Sequence, residues 1–204
     1  DETKNNYLMG IVYLADRMGV SVADITTGDF LVTEVSTDRA LFDEINKFSP
    51  AEIICNDAFS MSGISLEDLK DRYHFTVSTL DSHFFQDESC RKLLREHFKV
   101  GSLEGLGLGD YDCGVIAAGA VLEYLYETQK STLDHLTTIV PYATGNYMVL
   151  DSSTRRNLEL LETMREKQKR GSLLWVLDKT RTAMGARLLR TWIEQPLISK
   201  EEIL

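Results

Sequence analysis

Three sets of residues in this 204-residue chain are of types that carry chemistry. The first is glycine. Gly105-Leu106-Gly107-Leu108-Gly109-Asp110 has the glycine content of a phosphate cradle, in which backbone N–H groups approach an anion at a helix start. It holds no lysine, and Glu104, Asp110 and Asp112 would repel an anion, so a plain loop before a capped helix is the better reading. No G-x-x-x-x-G-K-S/T occurs, and ATP chemistry is not expected from these residues. The second set is the carboxylates Asp16, Asp24 and Asp29, since two-metal hydrolysis needs acids converging on ions about 4 Å apart. The third is basic: Arg91, Lys92, Arg95 and Lys99 cluster along Glu88–Lys99, with Leu94 and Phe98 as the apolar side and Phe84-Phe85 just before. A positive patch of this kind, set in an acidic neighbourhood, is a candidate surface for a protein partner.

Other chemistry finds no support. His74, His83, His97 and His135 share no ligand spacing. Cys55, Cys90 and Cys113 are far apart, odd in number and without C-x-x-C, which argues against a zinc site and for a reducing compartment. No G-x-S-x-G frames a nucleophile. The expected catalytic, cofactor and metal residues are therefore none.

The elements that must position these residues read as follows. Tyr7–Leu14 is apolar almost throughout, as in a strand covered on both faces. Val20–Ile25 and Asp29–Val35 follow as β-rich runs, with Arg17-Met18-Gly19 and Thr26-Thr27-Gly28-Asp29 as turn chemistry, which makes a meander. From Asp38 the period becomes helical until Ser49-Pro50. Glu52–Cys55 reads as a fourth strand. Ser65–Tyr73 reads as a helix with Ser65 as cap and Asp68 at the capping-box position, and His74–Leu80 as a fifth strand. Helices are expected over Glu88–Lys99 and Tyr111–Gln129, and a broken β-prone stretch over Thr137–Leu150. From Asp151 the pattern is helical: one helix from Asp151 or Ser152 to about Lys167, a short apolar turn at Leu173–Leu177, and a helix over Thr182–Glu194. In that last helix Met184, Leu188 and Trp192 form a stripe that needs a partner, Gly185 permits close approach, and Arg190 can pair with Glu194. Ser199-Lys200-Glu201-Glu202 is a capping box, the mark of a further helix starting.

The fold class this implies is α/β, a mixed sheet with flanking helices followed by an all-α segment. A meander continuing as strand, helix, strand is how ribonuclease H-like domains begin, and a metal-dependent nuclease of that type is the enzymatic alternative. Such an enzyme wants an aspartate in the middle of its first strand, and Tyr7–Leu14 contains none.

Composition sets the remaining bounds. With 43% hydrophobic and 26% charged residues the chain can build one or two cores, and no apolar run approaches the roughly 20 residues of a membrane span. The N-terminus Asp1–Asn6 has no leader pattern and no methionine, and reads as a cut end. The net charge of −10 is split: residues 1–150 carry 24 acidic and 11 basic side chains, net −13, and residues 151–204 carry 8 and 11, net +3. The first part is not expected to grip nucleic acid, whose binding rests on lysine and arginine displacing counterions.

Two stretches resemble a known family. Asp151-Ser-Ser-Thr-Arg-Arg-Asn-Leu-Glu-Leu-Leu-Glu162, followed by Gly171-Ser-Leu-Leu-Trp-Val-Leu-Asp178 and its continuation to Leu197, is similar to the start of the core domain of the MutS family of DNA mismatch-repair proteins. Ala23–Phe30 and Ser49–Ile54 are similar to the connector domain that precedes it, so the resemblance covers essentially the whole chain. It implies a ribonuclease H-like, non-catalytic connector over 1–140 and a linker with the first core helices over 141–204. It further implies a cytoplasmic homodimeric parent that recognises mispaired DNA, uses ATP with magnesium, and recruits MutL. The family's mismatch-reading Phe-x-Glu element is implied to lie before Asp1 and its nucleotide site after Leu204. This stretch is therefore expected to be no enzyme, to hold no cofactor, to bind DNA weakly or not at all, and to offer MutL a surface around Arg91, Lys92, Arg95 and Lys99.

Overall fold

In the computed structural model, residues 6–129, 133–145, 148, 150, 152–198 and 203 are described. The chain divides into two compact units that meet between Thr144 and Gly145.

The first unit is built on β1 (Leu8–Leu14), whose apolar run is buried on both faces. A two-residue turn leads to β2 (Arg17–Asp24), which pairs antiparallel with β1, and β3 (Asp29–Val35) continues the meander. On the other side β4 (Glu52–Cys55) lies parallel to β1, and β5 (Thr76–Thr79) parallel to β4. A two-residue strand, β6 (Val140–Pro141), runs parallel to β3, giving the order β5-β4-β1-β2-β3-β6. The mixed sheet flanked by helices is the fold class the sequence implied.

Helices cover both faces. On one, α1 (Asp38–Phe48), capped by the Thr37 hydroxyl accepting from the Ala40 N–H, lays Leu41, Ile45 and Phe48 over Met9, Ile11, Val20 and Val22. Beside it lie α2 (Asp57–Ser60) and α3 (Glu67–Tyr73), which bury Phe59 and Leu69 in the same core. On the other face α4 (Asp87–Phe98) and α5 (Asp112–Thr128) bury Leu94, Val115, Val121 and Leu122 against Leu8, Ala23, Phe30 and Val32. Each such side chain contributes about 1.5–3 kcal/mol of transfer free energy, which is why two small cores suffice for the unit.

Several local expectations are corrected. Arg17-Met18-Gly19 is not a turn but the start of β2, because the turn closes earlier, with Ala15 taking a φ of +57°. Gly19 is there for packing: a Cβ on it would meet the Cys113 carbonyl oxygen at 2.2 Å, so only glycine lets the first turn of α5 rest on the strand. Ser65 does not cap α3; that position falls to Leu66, which makes no side-chain cap bond, and Ser65 Oγ receives only a 3.4 Å bond from the Glu67 N–H. Asp68 is thereby out of the capping-box register.

The second unit is helical: α6 (Ser152–Asn157), α7 (Leu173–Leu177) and α8 (Ala183–Glu194). The helix expected to run to Lys167 stops at Asn157. Glu159 and Lys167 both take left-handed φ values, +48° and +50°, which a continuous helix cannot contain. The apolar turn at Leu173 is a short helix capped by Ser172, and its Leu173 and Leu174 N–H groups donate to the Glu159 and Leu160 carbonyls. Thr182 caps α8 by accepting from the Gly185 N–H, and a Cβ on Gly185 would come within 3.1 Å of the Thr182 hydroxyl oxygen. Asp151 and the capping box at Ser199–Glu202 lie outside the described residues.

Candidate docking surface

The acids of the sheet unit are each held by a local task. Asp24, fully buried, accepts from the Thr26 N–H (2.8 Å), the Thr26 hydroxyl (2.6 Å) and the Asn6 N–H (2.9 Å). Asp29 accepts from Thr27 Oγ1 (2.9 Å) and the Tyr7 hydroxyl (3.2 Å). Both close the β2–β3 turn. Asp16 stands exposed in the β1–β2 turn at the far end of β2, roughly 25 Å away at about 3.3 Å per residue. These three acids cannot share a cation. Glu34 on β3 accepts from the Cys113 and Gly114 N–H groups (2.8 and 3.3 Å), placing a negative charge at the start of α5 where the helix dipole favours it. Glu52 accepts from the Tyr124 hydroxyl (2.6 Å), which holds the phenol up at about 12.

One of these arrangements fixes the end of the unit. Tyr142 follows β6, and its N–H donates to the Val32 carbonyl (3.0 Å) while its own carbonyl accepts from Thr33 Oγ1 (2.7 Å). Its hydroxyl donates to Glu44 on α1, and Lys47 Nζ lies 4.4 Å from the centre of its ring. Burial raises the Glu44 carboxyl and lowers the Lys47 ammonium, each against the other's attraction.

The four cations singled out in the sequence all lie on α4 or at its end, but their charges are not equally available. Arg91 is bonded to Asp87 (2.8 Å) and to Asp112 on α5 (3.3 Å). Lys92 lies 3.8 Å from Glu96, one turn on. Arg95 is half-buried, and Lys99, exposed, ends the helix in the left-handed conformation at φ +55°. Among the described residues no ion pair to Arg95 or Lys99 is found, so the positive field of α4 is concentrated at its C-terminal end. Phe84 is buried and Phe85 half-buried, so neither stands out beside the cations as an exposed anchor. His97, close by, bridges the Tyr126 hydroxyl (2.5 Å) and the Leu136 carbonyl (2.7 Å).

In the helical unit the stripe Met184, Leu188 and Trp192 stands exposed, with Met184 at 67% and Trp192 at 64%, and α8 buries no residue fully. Arg190 pairs with Glu194 (3.5 Å) as the spacing implied. Of the basic residues after 151, Arg155 donates to the Leu150 carbonyl and Lys169 pairs with Asp178 (2.6 Å), so both serve local structure. No helix among the described residues is long and apolar enough to cross a membrane.

What sequence reasoning missed is pairing across elements. Arg91 and Asp112 are 21 residues apart, and His83 lies 44 residues from Glu127, its partner at 3.9 Å. The packing on α5 of α4, for the first pair, and of the turn Ser82–Phe85 before it, for the second, brings them together.

Comparison with known proteins agrees with these two units. The family model for MutS domain II matches residues 6–137, and that for MutS domain III matches residues 153–204. The chain is 62% identical over 203 residues to the DNA mismatch repair protein MutS of Lachnoclostridium phytofermentans, covering 100% of the chain and 22% of the relative. The protein of that name from Ruminiclostridium cellulolyticum is 47% identical over 206 residues (100% and 23%), and that from Clostridium tetani 42% over 205 (100% and 22%). The chain thus spans less than a quarter of the length of the curated relatives it matches.

Proposed function

Because this chain belongs to the MutS family of DNA mismatch-repair proteins, we propose that it is a non-catalytic connector between the mismatch-reading and ATPase parts of its parent and offers MutL a docking surface. The observation that carries this reading is the anchoring of Tyr142. A connector must transmit position, so the chain leaving its sheet has to be fixed to that sheet. Here backbone bonds to Val32 and Thr33 and the Glu44–Lys47 pair on α1 hold the strand two residues before the unit ends. The acids that a nuclease would need are committed to turns and helix starts at opposite ends of the sheet, which leaves that alternative without support.

Arg95 and Lys99, with Arg91 and Lys92 behind them, supply the positive rim for MutL. Binding of mispaired duplex, homodimerisation, and the use of ATP and magnesium are assigned to the full-length parent, and chiefly to parts that this stretch does not include. The parent works in the cytoplasm. In the helical unit the exposed Met184–Leu188–Trp192 stripe packs against other helices of that parent.

The test is a binding measurement on the 204-residue chain, with immobilised MutL in one arm and a mismatched duplex in the other. Saturable binding to MutL, weakened by Arg95→Glu with Lys99→Glu, and little or no binding to the duplex is the expected result. Tight duplex binding without MutL binding would refute the reading.

A further inference from the structure

Outside the surfaces already discussed, one side-chain group combines ligand types that suit a transition metal. Glu123 and Glu127 stand one turn apart on α5, and His83 lies in the short 3-10 turn Ser82–Phe85 that precedes α4. One ligand atom from each lies within 4.8 Å of the other two. We propose that His83, Glu123 and Glu127 form an open, three-ligand site for a divalent cation of the zinc kind, joining the turn before α4 to the C-terminal end of α5.

The turn that carries this imidazole is fixed to α5. The His83 ring lies 4.2 Å from that of Phe84, tilted by 37°, and Phe84 is itself buried against Tyr124 of α5 at 6.5 Å in an edge-on contact. The residue next to His83 therefore pins this turn to the helix that carries both carboxylates. Without a cation, two like charges face each other at i and i+4, an unfavourable helix spacing, and His83 approaches Glu127 only as a 3.9 Å ion pair that requires a protonated ring. A cation relieves both: it neutralises the carboxylates and takes an imidazole nitrogen as a ligand in place of that ion pair.

The donor set also selects the metal. One imidazole nitrogen and two carboxylate oxygens suit zinc at about 2.0–2.2 Å per bond, whereas magnesium and calcium prefer oxygen alone. A tetrahedral shell brings its ligand atoms to about 3.3 Å apart, which the roughly half-exposed side chains of His83 and Glu127 reach by small rotamer changes. The fourth position is left to water. Cys90 is excluded as a fourth ligand because its thiol donates to the Phe84 carbonyl at 3.2 Å. Lys92, which lines the same groove as Glu123 and Glu127, lies 3.8 Å from Glu96.

The experiment is a calorimetric titration of the 204-residue chain at pH 7.5 with zinc sulfate, and separately with magnesium sulfate. Expected is one saturable zinc equivalent, no comparable magnesium binding, and a rise in Tm with zinc, since a ligand bound only by the native state stabilises it. His83→Ala and the near-isosteric Glu127→Gln should each weaken zinc on the order of 10- to 100-fold, with His135→Ala leaving it unchanged. Absence of saturable zinc binding, or binding that survives both His83→Ala and Glu127→Gln undiminished, would overturn the proposal.

Discussion

In the unit Asn6–Thr144, Met9, Ile11 and Val12 of the central strand are at most 2% exposed, and helices cover the sheet on both faces. In the helical unit the comparable apolar residues point the other way: Met184, Leu188 and Trp192 of α8 are each more than half exposed. The two regions have similar kinds of side chain and opposite uses for them. The sheet unit meets its own needs for burial, and the helical unit leaves the apolar stripe of α8 exposed. The stability of this chain should therefore reside in the first region and its unsatisfied contacts in the second.

Substitutions break or sharpen that contrast. Leu94→Ala, which empties a fully buried position between α4 and the sheet, should cost about 2–5 kcal/mol in urea unfolding of the chain. Gly19→Ala should come close behind, at about 3 kcal/mol, since the added methyl meets backbone atoms of Cys113 and Gly114 that have no rotamer to give. Tyr142→Phe strips the buried Glu44 of its hydroxyl donor and should cost about 1–3 kcal/mol, with the loosened exit strand visible as faster amide exchange at Tyr142. Leu188→Ala, in the same unfolding experiment, should stay within about 0.5 kcal/mol. A core-sized loss there would mean that α8 is already packed in this chain.

A chemical probe sharpens the same point. Burial, then the nearby Glu123 and Asp87 charges, push the Cys90 thiol up to about 12. The fold thus favours the protonated form: the contribution is complete below the ordinary thiol value near 9 and is lost as pH rises towards 12. At pH 8 Cys90 should resist alkylation by iodoacetamide until urea opens the unit, as read by mass spectrometry.

How much of this was legible in the sequence depended on the range of the interactions. The strands of the meander, α1 and α8 announce themselves because burial imposes a local period, and Arg190–Glu194 follows from helix geometry alone. Gly19 was misread because turn glycines and packing glycines look alike until a helix 94 residues later is laid on the strand. α6 was overextended because the charged, helix-prone run to Lys167 carries no visible stop; the left-handed residues that end it are Glu159 and Lys167, neither glycine nor asparagine. α2 is four residues long, too short for any period, and depends on Asn56, whose side chain both caps it and bonds the Tyr13 backbone. The four cations of α4 were visible in the sequence, but the partial neutralisation of Arg91 by Asp112 was not, because that pair exists only once α4 lies on α5.

Hydrogen exchange of the 204-residue chain, read by mass spectrometry peptide by peptide, tests the contrast most directly. Amides of Met9–Val12, Val20–Val22 and Val115–Leu122 should outlast those of α7 and α8 by orders of magnitude, as cores open only globally and uncovered helices open locally. Protection of Ala183–Glu194 equal to that of β1 would contradict the account.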